Sequence, residues 1–187
     1  MKPATTDKFR YKYEVFGPFL FCTTKGVSHR KALQQFWADR DRDGSPDGLC
    51  DAVGVYVWTI KEDGRRLPWN VGITSKQGFK GRFPQKETTL LRFREGRPDC
   101  EIEVYLLGRR SRTGEFSKTR QAKLNEWLET VLIGAAISVN SDLRNTAKSK
   151  YLRNTAVEGY LNDDKQKRSP SARSFNALFK AQRKERK

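Results

Sequence analysis

Histidine is nearly absent from this 187-residue sequence: His29 is the only one. A single imidazole leaves a Ser-His-Asp relay, or any mechanism with two histidines, poorly supplied. Cysteine is also scarce. Cys22, Cys50 and Cys100 are widely spaced with no C-x-x-C pair, which argues against a disulfide framework and against a structural zinc site. No apolar run approaches the roughly 20 residues needed to cross a bilayer. The opening Met1-Lys2-Pro3-Ala4-Thr5-Thr6 lacks the apolar core of a signal peptide. A cytoplasmic protein with no membrane partner is therefore expected. Acidic residues are outnumbered, with 22 Asp/Glu against 38 Lys/Arg, a formal net charge of +16 and a pI near 10.0. Such a balance favours a polyanionic partner, nucleic acid first, and says nothing about fold. At 36% hydrophobic and 11% aromatic residues, the chain has the material for a packed core.

The most informative stretch runs from Ala52 to Ile73. Val53, Val55 and Val57 alternate with Gly54, Tyr56 and Trp58, the period of two that puts one set of side chains on each face of a strand. Asp63-Gly64 is a turn signal, so the segment reads as an antiparallel hairpin loosened by extra residues around the turn. Gly54 and Gly72 interrupt these strands, and glycine within a strand marks a bulge or a close approach to the backbone. Ahead of the hairpin, Phe9 to Phe16 alternates aromatic and basic residues, as a strand or an extended arm would. Ser28 is placed to cap a helix carrying Ala32, Leu33, Phe36 and Trp37. Asp39 to Gly48 has the start of a calcium loop but Cys50 where the bidentate glutamate belongs, and reads as a solvated connector.

Beyond the hairpin, Phe79 and Phe83 are four apart and would pin a short helix to the sheet, with Lys80 and Arg82 at its margins. Ile102, Val104 and Leu106 alternate as a third strand, followed by a basic loop with Arg109, Arg110 and Arg112. Residues 118 to 139 form the strongest helix. From Trp127 to Val139, Glu129 is its only charged group and apolar residues occupy nearly every face, the pattern of a buried helix. Removing a carboxylate from water costs several kcal/mol unless a cation, a proton or a metal compensates it. Glu129 is a site candidate on that cost alone. Residues 148 to 187 carry 12 Lys/Arg and 4 Asp/Glu, a net +8. Ser169-Pro170-Ser171 reads there as a linker break, and Ser174 to Arg186, with Arg183 and Lys184, as a short basic helix suited to phosphate contact.

Gly54-Val55-Tyr56, Trp69-Asn70-Val71-Gly72, Arg82, Leu128-Glu129-Thr130-Val131-Leu132-Ile133 and Asn145, in this order, resemble the motifs of the GIY-YIG nuclease domain. The resemblance covers about residues 52 to 146. It implies an α+β fold with a small three-stranded antiparallel sheet flanked by helices. On it the chain divides into an N-terminal extension (1–50), a nuclease-like core (51–147) and a basic C-terminal extension (148–187). The implied activity is divalent-metal-dependent endonuclease cleavage of DNA, ahead of RNA. Glu129 would hold one Mg²⁺, with Mn²⁺ as a substitute, and Tyr56 would act as general base. Arg82 would bind the scissile phosphate, Lys80 or Lys76 would assist, and Asn145 would hold the site. Arg109, Arg110, Arg112, Arg183 and Lys184 would add nucleic-acid contacts. Cutting both strands would take a homodimer or sequential nicks. The sequence departs from the family at Asn70, which stands where the second motif carries tyrosine, and an amide cannot take a proton as a phenolate can. The alternative is a nucleic-acid-binding module on the same fold that has lost its chemistry.

Overall fold

The computed structural model describes residues 11–21, 28–42, 46–62, 64–74, 76–83, 100–111, 113–118, 122–145, 148–149 and 169–174. The chain divides into two compact units, Met1–Arg144 and Asn145–Lys187. The first unit is α+β and runs β1 (Lys12–Leu20), α1 (His29–Arg42), β2 (Gly54–Glu62), β3 (Arg65–Ile73), α2 (Phe79–Arg82), β4 (Glu101–Arg110) and α3 (Ala122–Ile137). Its sheet is antiparallel throughout, in the order β1-β4-β2-β3. The sheet thus has four strands where three are expected from sequence. The aromatic-basic stretch is the reason: it pairs along β4 from Lys12↔Arg110 to Leu20↔Glu103 and forms an edge strand.

Alternation along β2 fixes what lies on each face. Tyr56, Trp58 and Ile60 sit opposite Leu106, Val104 and Ile102 of β4, and their common face is covered by aromatic side chains. Trp58 lies 4.9 Å from Phe83 and 5.5 Å from Phe21, while Trp37 lies 5.2 Å from Phe83, centroid to centroid. Tilted and edge-on ring pairs of this kind add about 0.5–1.5 kcal/mol each beyond the area they bury. Ser28 caps α1, accepting from the Lys31 amide at 3.4 Å, and α1 contributes Ala32, Leu33, Phe36 and Trp37 to this core. Asp39 and Asp41 belong to α1 itself, so the connector expected from residue 39 begins later.

The hairpin is tighter than the sequence suggests. Glu62 pairs with Arg65 across a turn in which Gly64 takes φ +73°, a left-handed conformation that glycine adopts without strain. The extra residue lies instead in a bulge: Trp58 pairs with Asn70 but Thr59 with Pro68, which leaves Trp69 between them, buried in the core. Proline lacks the amide donor, and an edge strand next to a bulge tolerates it.

Two further expectations change. Arg109 and Arg110 close β4 and do not open a loop. On α3, Asn125, Glu129, Ile133 and Ala136 form the buried stripe, while Trp127 and Val131 on the far side are 63% and 48% exposed. The helix is buried on one side only, and its far side mixes Trp127 and Val131 with exposed Lys123, Glu126 and Thr130. In the second unit, Ser169-Pro170 starts a helical turn over residues 170–174 and is not a linker break. Ser169 Oγ accepts from the Ala172 amide at 3.1 Å, with proline at the first helical position. No helix among the described residues is long and apolar enough to cross a membrane.

Candidate active site

Tyr56 is fully buried, on the face of β2 that carries the aromatic core. Its ring meets Phe83 edge-on at 5.3 Å and lies across Gly72, its partner on β3. A Cβ built on Gly72 would collide with Tyr56 Oη and Cζ, so the absence of a side chain there lets the phenol lie over β3. Gly54 serves the same end of the sheet, since a Cβ there would strike the Leu107 carbonyl and sit 3.0 Å from Phe79 Cζ.

Arg82 is carried to the phenol by α2. Four residues are too few to hold a helix on hydrogen bonds of their own. This one is fixed from outside: the amides of Phe79 and Lys80 donate to the carbonyls of Ala52 and Cys50 at 3.2 and 2.9 Å. Phe79 and Phe83 are both fully buried, as their spacing predicts, and Gly78 lets the turn pack directly on the Asp51 backbone.

Arg82 and Glu129 both act on Tyr56. Burial pushes the phenol up to about 12, the Arg82 guanidinium pulls it part of the way back, and the Glu129 carboxylate raises it further. Tyr56 Oη meets hydrogen-bond geometry with no partner, although Arg82 lies near enough to favour the phenolate as a donor would. A buried hydroxyl without an aligned partner costs about 1–3 kcal/mol. Glu129 is 9% exposed on the buried stripe of α3, which packs along β3. Asn70 is also 9% exposed and lies on the Tyr56 face, one step before Gly72 along β3.

Oxygen donors suit a hard cation. Among the described residues no group of three or more His, Cys, Asp or Glu gathers to hold a metal. A cation here would therefore rest on Glu129 alone, with water and the Tyr56 side of the site completing its shell. Mg²⁺ accepts that arrangement because it keeps several waters and needs only one or two carboxylates.

Among the other expected site residues, Lys80 is exposed, with Nζ 3.9 Å from Asp41 Oδ2, and Lys76 is exposed just after β3. Arg109 is buried and donates to Ser117 Oγ. Arg110 donates to Glu14 Oε2 at 2.9 Å and to the Gly114 carbonyl at 2.8 Å, over the ring of Phe116. Asn145 belongs to the second unit, where its carbonyl accepts from the Ser149 hydroxyl. Arg112, Arg183 and Lys184 lie outside the described residues.

Sequence reading passes over a second polar group, Tyr13, Thr74 and Asn125. Asn125 is fully buried, accepts from Tyr13 Oη and donates through Nδ2 to the Thr74 carbonyl at 3.1 Å. Thr74 in turn accepts the Gly54 amide on Oγ1 at 2.8 Å. The signal is the one that marks Glu129, a polar residue on an apolar helical stripe, placed just ahead of the apolar stretch that opens at Trp127. Comparison with known protein families, with curated proteins and with solved structures found no match.

Proposed function

We propose that this protein is a divalent-metal-dependent endonuclease of the GIY-YIG type, acting on DNA. The observation that carries the reading is a fully buried phenol, Tyr56, on which an arginine and a carboxylate from two other elements, Arg82 and Glu129, both act electrostatically. The net charge of +16 supports a polyanionic substrate.

Phosphodiester hydrolysis needs an activated water, neutralised phosphorane charge and a stabilised leaving oxygen. Glu129 would hold the cation, which when bound supplies a Lewis acid for the phosphate and leaving oxygens. Arg82 offers a fixed charge and a planar fork to the scissile phosphate. Tyr56 takes the proton from water only as phenolate, and at a pKa of about 12 that form is rare near neutrality. Once the charge on Glu129 is compensated, the carboxylate no longer raises the phenol, and Arg82 works against burial alone. The rate should therefore climb about tenfold per pH unit on the acid side of the Tyr56 pKa.

The test is conversion of supercoiled plasmid to nicked or linear form with Mg²⁺ or Mn²⁺, with Glu129→Ala as control. Intact plasmid across metals, salts and several sequences would rule the reading out. A second reading, a DNA-binding module without turnover, draws on Asn70 and on the raised phenol. It predicts salt-sensitive binding without cleavage, and cleavage created by Asn70→Tyr. Cutting by the wild type eliminates it.

A further inference from the structure

We propose that Asn125 is the positioning residue for Glu129, held in place by Tyr13 and Thr74, so that the N-terminal edge strand takes part in setting the catalytic geometry. The inference rests on the nuclease reading above.

Asparagine is a poor residue for a helix interior because its amide competes for backbone partners. Burying that amide is also unfavourable unless both of its ends are bonded. Both ends of Asn125 are bonded, to groups from different parts of the sheet. Oδ1 accepts a hydrogen bond from the Tyr13 hydroxyl on β1, and Nδ2 donates to the carbonyl of Thr74 just after β3. Thr74 is itself tied to Gly54, the first residue of β2, through both its amide and its hydroxyl. Burial raises the Tyr13 phenol, which keeps its proton for Asn125, and Arg109, directly opposite on β4, offsets only part of that rise.

Asn125 and Glu129 are one helical turn apart on the same buried stripe. Residues so spaced have Cβ atoms about 5–6 Å apart on a rigid segment, so a rotation or slide at one is felt by the other. The two bonds of Asn125 fix both the rotation of α3 and its height along β3. A displacement of about 1 Å at a catalytic group can lower the rate about 100-fold, and loss of an outer partner of a metal ligand costs about 10–100-fold in affinity or activity.

The test compares wild type, Tyr13→Phe, Asn125→Leu and the double variant by three readouts: plasmid-cleavage kinetics, Mn²⁺ affinity by electron paramagnetic resonance, and urea denaturation. Each single variant should lower kcat about 10–100-fold with KM for DNA unchanged, and should weaken Mn²⁺ binding about 10-fold. The double variant, in which the Tyr13–Asn125 pair becomes apolar and only the Thr74 carbonyl loses its donor, should regain part of its urea midpoint while kcat stays low. If kcat recovers together with stability, or if Tyr13→Phe leaves kcat and Mn²⁺ affinity unchanged, Asn125 is only structural and the inference fails. Tyr13→Phe removes a single oxygen atom and discriminates between the two roles even if Asn125→Leu does not fold. A wild type that binds Mn²⁺ through Glu129 without cutting removes the nuclease reading alone, and the change in affinity still decides the role of Asn125. A wild type that neither binds nor cuts overturns both.

Discussion

Two tyrosines on opposite faces of the sheet have similar surroundings but different engagements. Tyr56 on β2 and Tyr13 on β1 are each raised by burial and each lowered by a nearby arginine, Arg82 and Arg109 respectively. The register sets them on different faces, since Tyr56 pairs with Leu106 and Tyr13 with Arg109. The hydroxyl of Tyr13 is committed to Asn125, whereas that of Tyr56 has no aligned partner and lies under the influence of Glu129. A buried phenol beside an arginine is therefore common to both, and what sets Tyr56 apart is that a carboxylate acts on it as well.

Substitutions can break or sharpen this contrast. The largest effect is expected where the charge acting on Tyr56 is removed: Glu129→Ala should lower cleavage by about 10³-fold or more, read in a plasmid assay. Tyr56→Phe should lower it by about 10²–10⁴-fold. Because the deleted hydroxyl has no aligned partner, stability should stay level or rise by about 1 kcal/mol in urea denaturation. Tyr13→Phe should show the reverse balance in stability, losing about 1–3 kcal/mol because Asn125 Oδ1 is left buried and unbonded. If both tyrosines respond alike, the contrast is wrong. Gly72→Ala puts a methyl where Tyr56 Oη lies and should cost about 1–3 kcal/mol, with most of the activity, since the ring must swing off β3.

The smallest effect is on pH dependence. Tyr56 keeps its proton more tightly folded than unfolded, about 12 against an ordinary 10. Its contribution is fully present below pH 10 and is lost as pH rises towards 12. Cys50, pushed to about 11 by burial and then by the Asp41 carboxylate that accepts its thiol proton, behaves likewise from pH 9. Alkaline unfolding should thus begin near pH 9, and Tyr56→Phe should remove only the part above pH 10.

Much of the hairpin and of the helix ends was legible in the sequence, because alternation, Asp63-Gly64 and the Ser28 cap are local signals. That Arg82 and Glu129 both act on Tyr56 could not be read from local pattern, because the three residues lie on separate elements far apart in the chain. No local rule says that Gly72 must be bare so that a ring from β2 can lie across it. The fourth strand was half legible: the alternation in β1 is plain, but its pairing with β4 joins residues about a hundred positions apart. The exposed side of α3 differs from expectation because the apolar residues from Trp127 to Val139 do not show which of them the sheet covers. Asn125 escaped because its worth lies in Tyr13 and Thr74, both distant in the chain.

The two amides of α2 held by the carbonyls of Cys50 and Ala52 have a consequence of their own. The short stretch leading into β2 acts as a jig for the guanidinium, setting its reach from a distance. Lengthening that stretch by one residue would leave Tyr56, Arg82 and Glu129 chemically intact and still misplace Arg82, so an insertion there should act on the Tyr56 phenol as a substitution of Arg82 would.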